Sequence, residues 1–147
     1  MFANKIKISI PLSNNSFSSE ALWAEQVGEN AFKLLNIPIF AFGYAEGDIV
    51  LCEQNQDWLQ VIGLEKDSGN GTLRLILSEE ESKDVQHILD ELESVGCTYE
   101  KASSKLVAVT VPPNLKILFS QLSNFLNNTD DEVLSGWEIA KQFIRNE

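Results

Sequence analysis

The stretch NIPIFAFGYAEGDIVLCE, residues 36–53, constrains the fold most strongly. Residues 36–38 break any helix, because the residue before a proline is pushed towards extended geometry. Residues 39–42 are therefore expected to be extended, and the glycines at 43 and 47 to turn the chain. Asp48 then opens a further strand over residues 49–53. The stretch predicts structural framework rather than a ligand-binding loop.

The segments before this stretch also indicate strands. Isoleucines at positions 6, 8 and 10 alternate with polar residues, which is the period of a half-buried strand. Residues 20–36, EALWAEQVGENAFKLLN, are ambiguous. Their apolar residues fit a helical stripe, but the Gly28-Glu29-Asn30 step reads as a turn. We favour a hairpin, or a short helix followed by a strand, over one long helix.

Short strands continue beyond residue 53. Apolar runs over residues 58–64 and 72–77 flank Ser68-Gly69-Asn70-Gly71, which is the strongest turn signal in the chain. Gly69 and Gly71 precede a strand and not a helix, so they do not predict a phosphate-binding loop. A run of short strands with turns between them is typical of a bent meander or a small barrel.

Helix signals dominate the second half. Ser78 and Glu81 have the spacing of a capping box, and an apolar stripe follows as far as Gly96. A hairpin over 98–101 and 105–111 precedes Pro112-Pro113. Two further helices are predicted, at Asn114–Leu126 and at Asp130–Ile144, the last with a second capping box at Thr129 and Glu132.

These elements predict an α+β fold. N-terminal antiparallel strands, as a meander or small barrel, lead into a β-α-β-β-α unit and a C-terminal helix. A chain of 147 residues is long enough to bury a sizeable core. We expect one compact domain over residues 1–147, with possible subdomains at 1–71 and 72–147.

Charge restricts the partners. Eleven basic residues oppose twenty-two acidic ones, which gives a net charge of −11. Nucleic acid and anionic membrane would be repelled by such a surface, whereas a basic protein would be attracted. The sequence shows neither a signal peptide nor an apolar run long enough to span a bilayer, so a cytoplasmic location is expected.

The acidic residues gather on two predicted helices. Most such faces are simply solvated, but here the imbalance exceeds what helix solubility requires. If both helices pack on one side of a sheet, they form one broad negative face. The candidate partner-binding residues are Glu79, Glu80, Glu81, Asp84, Asp90, Glu91, Asp130, Asp131 and Glu132.

We expect no catalytic, cofactor-binding or metal-binding residues. His87 has the surroundings of a surface histidine, and Asp48 is better explained by turn amides than by a ligand site shared with Glu46. Cys52 and Cys97 sit among apolar neighbours, which favours buried free thiols. The remaining charged candidate, Arg74, is expected to pair with a local acid.

Separated landmarks also point to a known family. They are LWA at 22–24, NIP at 36–38, EGDIV at 46–50, SGNGTLR at 68–74, GCTYE at 96–100 and TVP at 110–112. In this order they resemble a bacterial family catalogued as domain of unknown function 4265, over about residues 5 to 113. The resemblance implies no catalytic residues. It implies an association with the immunity genes of bacterial toxin systems.

The expected function is therefore that of a non-enzymatic binding protein. The first hypothesis is an immunity protein that neutralises a basic bacterial toxin, such as a nuclease, through its acidic surface. A second hypothesis is a small-molecule-binding or sensor domain that uses the aromatic segment Phe40–Tyr44 with Trp58. A third is an enzyme with a cleft that joins Glu46, Asp48 and Arg74.

Overall fold

The computed structural model describes residues 5–12, 18–78 and 83–142. Strands predominate in this part of the chain, and two helices accompany them, which agrees with a mixed α+β class. In chain order the elements are β1 Lys5–Pro11, β2 Ser19–Gln26, β3 Ala31–Leu34, β4 Ile49–Asn55, β5 Trp58–Lys66, β6 Gly71–Leu77, α1 Lys83–Ser94, β7 Thr98–Ser103, β8 Leu106–Val111, α2 Phe119–Asn127 and β9 Leu134–Lys141.

The first five strands form a closed barrel. Consecutive strands pair antiparallel, so residues 20–36 fold as the β2–β3 hairpin rather than as a helix. The barrel closes through a short parallel pairing of β1 with β5, in which Ile8 lies opposite Leu59. Alternate side chains of each strand point inward and form an apolar core.

The remaining strands form a four-stranded antiparallel sheet in the order β7-β8-β6-β9. Helices α1 and α2 both cover one face of this sheet. Their apolar stripes pack on every second residue of β6 and β8, because successive side chains of a strand point to opposite faces. The fully buried residues of this core include Leu73, Leu75, Val109, Val111, Leu89, Leu92 and Leu122.

The opposite face of the sheet is covered by residues 36–48, here called the connecting segment. This segment forms neither helix nor strand, although residues 39–42 were expected to be extended. Side chains of the sheet hold its backbone: Thr72 Oγ1 donates to the Tyr44 carbonyl at 2.9 Å, and Arg74 Nη1 donates to the Ile39 carbonyl at 2.8 Å. Strand β6 is therefore buried on both faces as far as Leu75, while Ile76 is exposed. The connecting segment, which runs between β3 and β4, packs the barrel against the sheet.

The predicted C-terminal helix at Asp130–Ile144 is wrong. Residues 134–141 form strand β9 on the edge of β6. Two bulges interrupt this pairing, next to Leu73 and Leu77, so the apolar residues of β9 lose the simple two-residue alternation. The spacing of Val133, just before β9, with Trp137 and Ala140 then imitates one face of a helix, which explains the error.

The signals at the helix ends also need correction. Thr129 does not open a helix, because its hydroxyl donates to the Phe125 carbonyl at the end of α2. Helix α2 itself begins at Phe119 and not near Asn114. The Ser78 hydroxyl contacts the Asp131 carbonyl, which links the end of β6 to the turn before β9. Glu81, the second half of that predicted capping box, lies outside the described residues.

Candidate functional site

A groove with acidic walls lies between α1 and the turn that leads into β9. It has a volume of about 490 Å³ and is here called the acidic groove. Asp84 lies on α1 and Asp130 on the turn, and each is exposed. The residues that line the groove are Asp84, His87, Ile88, Phe125, Asn128, Thr129, Asp130 and Val133.

Local chemistry positions both walls of the acidic groove. Val85, Ile88 and Leu89 anchor α1 on the sheet, which leaves Asp84 and His87 on its solvent side. On the other wall, the carboxylate of Asp130 accepts a hydrogen bond from the Glu132 amide at 2.9 Å. The Asp130 carbonyl also accepts from the Val133 amide at 2.9 Å. These bonds fix the turn, so the two carboxylates face a common space.

The floor of the groove is apolar. Ile88 and Val133 are buried, and Phe125 packs partly buried against the same core. The groove thus joins apolar contact surface to two carboxylates, and no lysine or arginine is among its described lining residues. These two features are complementary to a lysine or arginine side chain, because its stem is apolar and its head is cationic.

The structure brings together only part of the predicted acidic set. Asp84 and Asp130 share the groove, whereas Asp90 and Glu91 lie further along the exposed side of α1. Asp90 accepts a hydrogen bond from the Gln86 amide nitrogen at 2.9 Å. The other two acids of the turn, Asp131 and Glu132, are exposed outside the groove, and they belong to a turn rather than to the predicted helix. Glu79, Glu80 and Glu81 lie outside the described residues.

Sequence reasoning interpreted His87 as a solvated surface residue, and it is exposed on α1. It nevertheless lines the acidic groove beside Asp84. The three-residue spacing that puts both on one side of α1 was available from the sequence. The opposite wall, Asn128 and Thr129, was missed because these residues were expected to separate two helices.

Glu46, Asp48 and Arg74 would favour an enzyme if they lined one cleft, but each makes its own structural contacts. Asp48 is fully buried; its carboxylate accepts from the Ala45 amide at 2.9 Å and from the Ser68 amide at 2.9 Å. This confirms its expected role with turn amides. Arg74 pairs with Glu138 at 2.8 Å, so it has the acidic partner that its sequence context predicted.

Glu46 lies in a different environment from Asp48. Burial and the nearby Glu100 carboxylate raise the pKa of Glu46, while a hydrogen bond from Thr110 lowers it in part. Glu100 itself accepts from the Ile37 amide at 2.6 Å. The two carboxylates therefore fasten the connecting segment to β7 and β8.

Both cysteines are buried free thiols, as expected from the sequence. Cys52 belongs to the barrel core and Cys97 to the core of the sheet. Burial raises the pKa of Cys52 to about 11 and that of Cys97 to about 12. Neither thiol has the character of a nucleophile at neutral pH.

Two absences concern only the described part of the chain. Within residues 5–12, 18–78 and 83–142, no three His, Cys, Asp or Glu side chains are grouped so that they could hold a metal ion. In the same ranges, neither helix has the length and apolar character needed to cross a lipid bilayer.

Comparison with protein families identifies the chain. Residues 20–137 match the family described as Domain of unknown function (DUF4265). The protein belongs to the DUF4265 family. The match extends past the landmarks seen in the sequence and reaches Trp137 in β9, so it covers both walls of the acidic groove. No curated protein matches this DUF4265 chain.

A solved structure has a similar fold. It is the crystal structure of a hypothetical protein from Neisseria gonorrhoeae, which is 23% identical in sequence. The similarity covers 98% of each chain with a TM-score of 0.77. At this level of identity the likeness concerns the fold alone.

Proposed function

We propose that this DUF4265 protein is a non-catalytic binding protein that receives a basic segment of a partner protein in its acidic groove. One observation carries the proposal: Asp84 and Asp130 come from separate elements and line one groove over an apolar floor. A basic side chain in the groove would pair with either carboxylate while its stem packs on Ile88 and Phe125.

The overall charge supports the same proposal. A net charge of −11 attracts a basic partner over distances longer than a contact and raises the rate of encounter. Among the described residues, the ion pairs join Arg74 to Glu138 and Lys141 to two other acids. The carboxylates of the groove are in none of these pairs, and apart from the Asp130 oxygen that accepts the Glu132 amide their oxygens can bind a partner.

The biological form of the proposal is an immunity protein that neutralises a basic bacterial toxin, such as a nuclease. A nuclease presents a cationic cleft to its substrate phosphates, and an acidic protein seated there would exclude the substrate. This role includes a cytoplasmic location, where an incoming toxin would reach its target. Catalysis is not needed for it.

Co-expression tests the proposal directly. Each polypeptide encoded beside the gene of this protein is expressed alone and then together with it, and cell growth is measured. We expect one neighbour to be toxic alone, to bind this protein, and to become harmless in its presence. If none of these polypeptides binds and growth is unchanged, the proposal fails.

Two matched variants locate the contact. Asp84→Asn with Asp130→Asn removes two charges inside the groove, and Asp57→Asn with Glu65→Gln removes two exposed charges on the barrel. The groove variant should slow association with the toxic neighbour about ten-fold at low salt, and the barrel variant much less. Equal slowing in both would show that only total charge matters. An association rate that does not change with salt concentration would contradict electrostatic attraction of the partner.

A further inference from the structure

A second cavity, unrelated to the acidic groove, lies where the barrel meets the connecting segment and β6. It has a volume of about 550 Å³, which is the size of pockets that hold small organic molecules. We call it the Arg74 pocket. Most of its lining is apolar or aromatic, with one cation, and includes Ile10, Leu12, Phe40, Phe42, Tyr44 and Arg74.

Arg74 is incompletely satisfied in this pocket. Its side chain is only 9% exposed, and Nη2 lies 2.8 Å from one oxygen of the half-exposed Glu138. Nη1 donates to the Ile39 carbonyl. The remaining nitrogen, Nε, has no hydrogen-bond partner. In the described part of the chain it is the only buried side-chain nitrogen or oxygen in that state.

The unfilled position has a definite chemical preference. Nε and Nη2 form the edge of a guanidinium that grips a carboxylate with two parallel hydrogen bonds. Glu138 occupies only half of that edge. A buried donor without an acceptor is unfavourable, so a second carboxylate that accepts from Nε would complete the site.

The aromatic side chains supply the rest of the site. The Phe42 ring lies over the guanidinium, with its centroid 4.2 Å from Arg74 Cζ, yet 60% of this residue is exposed. Phe40 is 54% exposed beside it. Two large exposed rings next to a buried cation leave apolar area that a ligand would cover.

We infer that the Arg74 pocket binds a small organic monocarboxylate with an apolar body. The carboxylate accepts a hydrogen bond from Nε and shares Nη2 of Arg74 with Glu138, and the body packs on Phe40 and Phe42. Arg74 is the only cation among the described lining residues, and Glu138 is close by, so a single negative charge fits better than a phosphate. Binding involves no covalent step.

The test uses the whole protein and a panel of three probes, acetate, hexanoate and phenylacetate, each paired with its neutral amide. Binding is followed by NMR, through the Arg74 Nε–H signal and the backbone amides of Phe42 and Tyr44. We expect saturable shifts with hexanoate or phenylacetate, and binding at least about ten-fold weaker with the matching amide. Acetate, which lacks the apolar body, should bind more weakly than either.

Three variants test the charged part and the apolar part of the site separately. Glu138→Gln removes the competing charge and should tighten binding of phenylacetate, while Phe42→Ala removes one wall and should weaken it. Both residues are substantially exposed, so both variants should fold. Arg74→Lys keeps the charge but loses the adjacent Nε and Nη2 donors, and should weaken binding about ten-fold if it folds.

The inference is overturned if no probe produces saturable shifts at these residues, or if each amide binds as well as its acid. It is also overturned if Glu138→Gln and Phe42→Ala both leave the affinity for phenylacetate unchanged. None of these results involves the acidic groove, so failure here is distinguishable from failure of the proposed function.

Discussion

Lys141 Nζ lies 3.0 Å from each carboxylate oxygen of Asp48, and both side chains are buried. The same nitrogen lies 2.7 Å from Asp67, which is half exposed. Asp48 ends the connecting segment, and Lys141 ends β9. This ion pair therefore ties the barrel to the edge strand of the sheet, at a point where neither side chain could be left without its partner.

Loss of the Asp48 charge should be costly. Asp48→Asn keeps an oxygen for the turn amides but leaves the buried Lys141 with only Asp67. We expect the free energy of unfolding to fall by about 3–5 kcal/mol, which is typical when one partner of a buried pair is removed. Urea denaturation measures this change. The exposed control Asp57→Asn should stay within about 0.5 kcal/mol of the parent. A fall below about 1 kcal/mol for Asp48→Asn would contradict the assignment.

Two glycines offer a matched comparison. Gly47 has a φ of +89°, and an added Cβ would lie 3.3 Å from the Ser68 Cβ. Gly63, on β5, has open space around it and no positive φ. Gly47→Ala should destabilise the protein by about 1–3 kcal/mol, whereas Gly63→Ala should be neutral or slightly stabilising. Thermal unfolding of both variants tests this, and equal midpoints would be inconsistent with strain at Gly47.

Glu20 organises the start of the connecting segment. Its buried carboxylate accepts hydrogen bonds from the amides of Ile39, Phe40 and Ala41 at 2.7, 3.0 and 3.0 Å. Glu20→Ala leaves these donors unsatisfied and should cost roughly 3 kcal/mol. Amide hydrogen exchange should accelerate at these three positions, and much less in β8. Uniform acceleration over the whole chain would mean that Glu20 has no local role.

The raised pKa of Glu46 has a consequence that depends on pH. Burial and, after it, the nearby Glu100 disfavour the ionised form of Glu46 in the folded state. Ionisation of Glu46 therefore lowers the free energy of unfolding once the pH rises above its ordinary pKa of 4.5. Glu46→Gln imitates the protonated form. It should therefore be more stable than the parent near neutral pH, with the difference vanishing as the pH falls below 4.5.

Denaturation at several pH values measures this difference. A Glu46→Gln advantage that persisted in acid would contradict the prediction for Glu46.

Asp67 should show the opposite dependence of stability on pH. Its pKa is lowered, chiefly by the hydrogen bond from Lys141, so its contribution to stability is present above its ordinary pKa of 3.8 and is lost as the pH falls below it.

The sequence allowed prediction of those elements whose period is undisturbed. The alternation in β1 and the stripe of α1 each match the structure, because each packs a single face on a continuous core. β9 was missed because its bulges break the alternation. The parallel pairing of β1 with β5 was also missed, since nothing local marks a contact between residues so far apart in sequence.

The candidate sites show the same limit. The charge of Asp84 and Asp130 was visible in the sequence, but their common groove depends on a turn that was predicted as a helix. Arg74 stands out as the one charged residue within an apolar strand. The sequence predicted that its partner would be an acidic residue but did not identify Glu138. Trp58 was grouped with the aromatic segment, yet it lines a different depression, beside β1.

The position of β6 has a consequence for biosynthesis. This strand bonds on one side to β8 and on the other to β9, which is made last of the described elements. While a ribosome is still translating residues 112–133, one edge of β6 has no native neighbour, and exposed edges invite pairing with other chains. The edge of β6 that β9 covers should therefore stay open to such pairing until residues 134–141 arrive.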